Sequence, residues 1–409
     1  LEIRFLILGF VFKAHFQFSN RFLHYSAKLM YVLIAPDSFK NSLTAKQAAQ
    51  SIAAGWRRVF PDAHTELCPL ADGGEGTVQS LVDATGGRLV HVQVQDPLLR
   101  PIDSFFGILG DGTTAVIEMA AASGIELLKN EELAPLKTST YGTGQLMLKA
   151  LEMGCRHMII GIGGSATVDG GMGMANALGI EFTDHQGKPL TAGGGSLDAL
   201  AQINLDDVHP ALASCEIIIA ADVTTSLVDA ARIYGPQKGA SPQEVQQLEK
   251  NLTHYADILQ KTFGGNIAAK AGAGAAGGLG AGLLAFAGAK MQPGFEVVRQ
   301  TTGLDGKISK ADLVITGEGK TDAQTQYGKT PFGVAQVAKK YNNPVILLAG
   351  TLGDDYQKLY QKGFDAIFPI TDKPMPLSQA ISDAAILLED AAGRVAHMLL
   401  LSQKYFGAR

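Results

Sequence analysis

Cysteine, histidine patterning and net charge are all in short supply in this chain. Three cysteines, Cys68, Cys155 and Cys215, are spread over 409 residues. They are odd in number and far apart, which argues against both a disulfide framework and a cysteine zinc site. They read as buried thiols of a reducing compartment, so a cytoplasmic location is expected. The balance of 34 basic and 39 acidic residues leaves a formal charge of −5. That gives no electrostatic footprint for nucleic acid or an anionic membrane, and neither partner is expected. The histidines form no H-x-x-x-H or H-E-x-x-H pair, which speaks against a catalytic zinc. No G-x-S-x-G elbow supports a serine hydrolase.

Long apolar runs are missing too. FLILGFVF, residues 5–12, is too short to span a bilayer, and its flanks make a poor signal peptide. Residues 1–29 are aromatic and basic, unlike the rest of the chain, and Met30 leads at once into the strand-like YVLIA. Residues 1–29 are therefore expected to be a non-native leader.

What the chain has is glycine, 48 residues of it, within a 46% apolar composition. Such a chain is globular, with room for about two or three domains. From Tyr31 onward, β-like and α-like stretches alternate. YVLIA, HMII (157–160), EIIIA (216–220), DLVIT (312–316) and PVILLAG (344–350) read as strands. TAKQAAQSIAAGWRRVF (44–60) carries an apolar stripe at helical spacing, and Thr44 and Gln47 have capping-box spacing. RLVHVQVQDPLLRPIDSFFGIL (88–109) reads instead as an antiparallel pair around a proline turn. The fold class expected is α/β, with mostly parallel sheets in two domains, one inserted in the other, and a cleft between them. The outer domain is placed at 30–95 with 295–405 and the inserted one at 96–294.

Six segments repeat one recipe, in which glycines sit beside an acid or a lysine near a strand end. They are PDSFKNS (36–42), LADGGEGT (70–77), STYGTG (139–144), GIGGSATVDGG (161–171), YGPQKGAS (234–241) and TGEGKTD (316–322). Glycine lets backbone N–H groups approach an anion, and a helix start adds favourable partial charge. Lysine neutralises phosphate, and carboxylates hold Mg²⁺ partly through water. In open α/β sheets ligands gather beyond the carboxyl ends of strands. One such loop is more often a plain tight turn than a ligand site. Six of them point to phosphate and its metal.

Two shorter motifs compete. Gly161 to Ala166 fits G-x-G-x-x-G/A, with Asp184 where a ribose-binding acid belongs. This supports the alternative reading, an NAD(P)-dependent oxidoreductase of a small hydroxy acid. AQTQYGKT (323–330) matches the phosphate loop G-x-x-x-x-G-K-T except at Ala323, and TGEGKTD separates it from its strand.

In order and spacing, the loops resemble the bacterial type I glycerate kinase family. The residues that carry the resemblance are APDSFKNSLTA (35–45), PLADGGEGT (69–77), STYGTGQL (139–146), GIGGSATVDGG (161–171), GPQKGAS (235–241), GAGAAGGLG (272–280) and DLVITGEGKTDAQT (312–325). The resemblance implies phosphorylation of D-glycerate by ATP with Mg²⁺, favouring the 2-hydroxyl, and is compatible with a homo-oligomer. The chain departs from the family at Asn41, at Val168 and in ADVTTSL (221–227), where Cys-Asp-Val-Thr-Asn-Pro-Leu is usual.

On this reading the amides of Gly163, Gly164 and Ser165, with Lys238, engage phosphate or carboxylate groups. Asp37, Ser38, Asp72, Gly73, Gly74 and Lys320 complete the binding set. Asp169 or Asp222 takes the proton of the substrate hydroxyl, Lys40 neutralises charge, and Glu318 and Asp322 hold Mg²⁺. Each has a plainer alternative: Asp37 and Asp72 could cap helices, and Lys320 could be solvated.

Overall fold

The run YVLI becomes a strand because aromatic and β-branched residues suit the pleat, and Pro36 lies just beyond its end. A computed structural model describes residues 30–71 and 73–406. The expected leader, 1–29, and Asp72 lie outside the described residues. In chain order the strands are β1 (Tyr31–Ile34), β2 (His64–Leu67), β3 (Arg88–Gln95), β4 (Pro101–Ile108), β5 (Thr114–Glu118) and β6 (His157–Gly161). They continue as β7 (Glu181–Thr183), β8 (Gln202–Asn204), β9 (Glu216–Ala220), β10 (Lys290–Gln292), β11 (Leu313–Thr321), β12 (Val345–Leu352) and β13 (Ala366–Pro369).

A parallel five-stranded sheet runs in the order β13-β12-β11-β1-β2. A six-stranded sheet has the order β10-β9-β6-β5-β4-β3, and only β5-β4-β3 is antiparallel. The α/β class and the mostly parallel pairing match expectation, as does the antiparallel run around the proline turn. That turn is held by Asp96, whose carboxylate accepts the Leu98 and Arg100 N–H groups.

The pairing bears on the expected crossing at 95/96. β3 pairs with β4 along its whole length, from Arg88 opposite Ile108 to Gln95 opposite Pro101. Pro97 thus lies at the tip of a hairpin within the six-stranded sheet. We propose that the first crossing lies at Gly86–Gly87, just after the helix Thr77–Thr85, and that the return falls near Gly294.

Strand alternation distributes the core. Val32, Ile34, Ile315 and Leu348 face the helices Ala45–Val59 and Ala384–Phe406. Leu33, Val314 and Leu347 face the opposite side, where they join Val78 and Leu81 of the helix Thr77–Thr85. Val116 and Ile159 of the six-stranded sheet close that same apolar layer from beyond. The other face of the six-stranded sheet, including Ile117 and Ile160, packs on Leu146 and Met147 of the helix Tyr141–Glu152. All three cysteines are buried and unpaired, as expected. Among the described residues no helix is long and apolar enough to cross a membrane.

The helix Ala45–Val59 begins at the anticipated capping box, with Thr44 accepting from the Gln47 N–H. Its buried Gly55 lies against the C-terminal helix, and a Cβ there would overlap the Glu389 carbonyl oxygen. Alanine would gain about 1 kcal/mol in helix propensity, yet the overlap is expected to cost about 1–3 kcal/mol. Gly55→Ala should therefore lower the urea midpoint. A raised midpoint would show that the two helices are not packed this closely.

Candidate active site

The site is built where β6 and β9 end. β6 stops at Gly161, and a Cβ there would stand only 2.5 Å from the Gly73 carbonyl oxygen. Gly73 itself has φ +93°, a conformation that side chains rarely adopt, and it lies against Ala220 at the end of β9. Glycine at both positions lets the loop after β2 settle onto the strand ends. Gly74 comes next, its Cα 3.7 Å from where a Gly163 Cβ would sit.

Around this contact opens a cleft of about 450 Å³. Of the expected residues, Gly73, Gly74, Gly163, Gly164, Ser165, Asp222 and Lys238 all line it. These come from four separate parts of the chain. The loop after β6 is fixed by its backbone, with Ile125 N–H donating to Gly164 O and Ala166 N–H to Ser123 O. Lys238 sits in the turn Pro236–Lys238 and is 1% exposed. Its ammonium donates to Ser165 Oγ at 2.6 Å and to Thr167 O at 2.7 Å. Burial pulls its pKa down to about 7, against the opposing pull of the Asp169 charge. Asp222 Oδ1 accepts the Gly294 N–H at 3.3 Å.

Asp169 faces inward. It is 0% exposed and does not line the cleft. Oδ2 accepts from Thr140 N–H and Oγ1, both at 2.8 Å, and from Gly173 N–H at 3.2 Å; Oδ1 accepts from Gly171 N–H at 3.1 Å. Burial raises its pKa, and these donors oppose the shift. In this structure Asp169 ties the β6 loop to the start of the helix Tyr141–Glu152, which leaves Asp222, of the described acids, to border the cleft.

The sequence reading overlooked Glu118, the last residue of β5. Its carboxylate accepts the Val78 N–H at 2.7 Å, in the first turn of the helix Thr77–Thr85. Burial raises its pKa, against the N–H groups of Val78, Gly76 and Thr77. Glu118 thereby anchors the glycine loop that forms one cleft wall. An acid closing the otherwise apolar strand TAVIE was the available signal.

The remaining expected residues gather elsewhere, at the ends of β1 and β11. Asp37 N–H donates to Gly317 O, and Asp37 Oδ1 accepts the Ser38 N–H. A Cβ on Gly319 would meet the Lys40 backbone nitrogen at 3.2 Å. Glu318 accepts from Thr321 and Thr325 hydroxyls on Oε1 and from Lys329 on Oε2. Asp322 caps the turn Ala323–Gln326 through Gln324 N–H, and Lys320 lies 3.4 Å from its other oxygen. Both carboxylates are thus taken by protein donors and do not fit a resident Mg²⁺. Among the described residues no group of three or more His, Cys, Asp or Glu could hold a metal ion.

The dinucleotide motif lacks its structural setting. The helix after Gly161 begins only at Met172, and Asp184 instead closes a turn by accepting Gln186 and Lys188 N–H groups. A buried carboxylate with four donors tolerates an amide poorly, since its NH₂ must face N–H groups. Asp169→Asn is expected to cost about 1–3 kcal/mol, read as a lower denaturant midpoint. Unchanged stability would show that the carboxylate is not the anchor described here.

The glycerate kinase family model matches residues 32–400. A glycerate kinase of Halalkalibacterium halodurans is 49% identical over 89% of this chain and 97% of its own. A glycerate 2-kinase of Escherichia coli is 46% identical over 92% of this chain and 100% of its own. A crystal structure from Salmonella typhimurium LT2, assigned as a glycerate kinase 2, superposes with a TM-score of 0.84 at 44% identity. It covers 92% of this chain and 100% of that one. With a match of this extent, and with several of the loops that carry it meeting at the ends of β6 and β9, the chain belongs to the glycerate kinase family and is an enzyme of the kinase class.

Proposed function

We propose that the cleft transfers the γ-phosphoryl group of ATP to the 2-hydroxyl of D-glycerate, giving 2-phosphoglycerate. The observation that carries this reading is the convergence of two glycine loops, a buried lysine and an acid on one cleft. The similarity to a glycerate 2-kinase supports the choice of hydroxyl. Phosphoryl transfer asks for positioning and charge neutralisation more than for covalent help. The amides of Gly163 and Gly164 and the Ser165–Lys238 pair supply donors for anionic groups. Asp222 orients the attacking hydroxyl by accepting its hydrogen bond. Lys40, Ser38, Asp37 and Lys320 form the second group, where lysine charge suits the nucleotide phosphates. Mg²⁺ enters as the counter-ion of ATP, whose phosphate charge it neutralises. Three buried thiols and a weakly acidic composition fit a cytoplasmic enzyme of small organic acids that engages neither membrane nor nucleic acid.

ADP release should require glycerate, and phosphorus coupling in the product NMR spectrum should fall on the C2 proton. No glycerate-dependent ADP would reject the activity, and coupling to the C3 protons would reject the regiochemistry. Asp222→Asn should lower kcat on the order of a hundredfold or more with little change in KM. A KM effect alone would assign Asp222 to binding.

A further inference from the structure

Lys238 stands out in this wall because its ammonium is buried and directs two of its protons to neighbours rather than to the cleft. We propose that Lys238 is a positioning residue, whose ammonium holds the Ser165 hydroxyl as a hydrogen-bond donor pointed at the anionic group handled in the cleft. The inference rests on the kinase reading above and deepens it.

The geometry runs as a chain of donors. An ammonium has three N–H donors and no acceptor, so the 2.6 Å contact obliges Ser165 Oγ to accept. The second N–H, 2.7 Å from Thr167 O, fixes the lysine to the same loop. The Ser165 backbone cannot turn, because the residues on both sides are hydrogen-bonded to the segment Ser123–Ile125. The only freedom left at Ser165 is rotation of its own proton. No other hydrogen bond to that hydroxyl forms among the described residues, and Ser165 borders the cleft. Its proton is therefore available to an incoming oxyanion.

Deprotonation reverses the arrangement. A neutral amine keeps two N–H donors but gains a lone pair, so Nζ becomes able to accept the Ser165 O–H and draw that donor away from the cleft. Among the described residues the titratable groups facing Lys238 are few. Asp169, from the loop after β6, favours the charged form, whereas burial disfavours it. The Tyr234 ring lies 5.9 Å from Nζ on the same segment, and Asp222 borders the cleft from the end of β9. In the free protein the balance stands near pH 7. An anion bound in the cleft adds favourable charge and holds the lysine protonated to higher pH.

The donor is present below the lysine pKa and is lost as pH rises through it. For wild-type protein, kcat/KM for glycerate at saturating ATP should fall about tenfold per pH unit above roughly neutral pH, with kcat falling only at higher pH. Ser165→Ala should lower kcat/KM on the order of a hundredfold at pH values below the lysine pKa, and the alkaline limb should vanish. Lys238→Met should lose as much, and the double variant no more than either single. A limb that persists in Ser165→Ala, or additive losses in the double variant, would overturn the inference by showing that the lysine acts directly. Should Lys238→Met fail to fold, Ser165→Ala, which removes one oxygen, still decides through its pH profile. Calorimetric titration with glycerate over the same pH range reads the pair independently of turnover. Loss of affinity with rising pH in wild type but not in Ser165→Ala supports it, and equal pH dependence in both overturns it. Absence of turnover with a normal binding limb would reject only the kinase reading.

Discussion

The architecture of the site depends on backbone lying against backbone. At Gly161 the strand end accepts the Gly73 carbonyl where any side chain would stand. That single approach lets a loop from beside the five-stranded sheet reach the carboxyl ends of β6 and β9. Everything else in the cleft is arranged around it. Glu118 pins the arriving loop by the first turn of its helix, and Asp169 pins the departing one from behind. One half-buried and one buried carboxylate thus serve as fasteners for segments that carry almost no side chains of their own. Hydrogen bonds to charged groups are among the stronger ones available to a fold, roughly 1.5–3 kcal/mol each, which suits segments that bury little apolar surface.

Much of the fold was legible in the chain itself. β1, β6, β9, β11 and β12 all lie where apolar runs were read as strands, and the helix beginning at Ala45 starts at its capping box. The hairpin of β3 and β4 followed from alternation around Pro97. What local pattern could not supply was the partner of each strand. A hairpin looks the same whichever sheet it joins, so the crossing was set at the proline. Register along the full length of β3 places it in the six-stranded sheet.

The site was legible in part, for a related reason. Glycine clusters announce that a backbone must be approached closely, and six of the residues marked in them do meet at one cleft, where Asp222 joins them. The role of an acid depends on its surroundings, which spacing does not encode. Asp169 and Asp222 look alike as isolated carboxylates, yet one is enclosed by four donors and the other borders the cleft. Glu318 likewise carries the right charge for a metal but is surrounded by two hydroxyls and Lys329. Glu118 escaped notice because no glycine or lysine flanks it, although it closes a buried strand.

The apolar layer between the sheets has a mechanical consequence. Leu33 and Val314 on one side, Val116 and Ile159 on the other, and Val78 and Leu81 between them form one continuous packed body. Swinging the sheets apart like a hinge would open that layer to water, at roughly 25 cal/mol for each Å² exposed. Sliding along the interlayer helices exposes far less. A rearrangement that brings Lys40 and its neighbours nearer to the cleft therefore costs less as a small shear displacement than as a hinge opening.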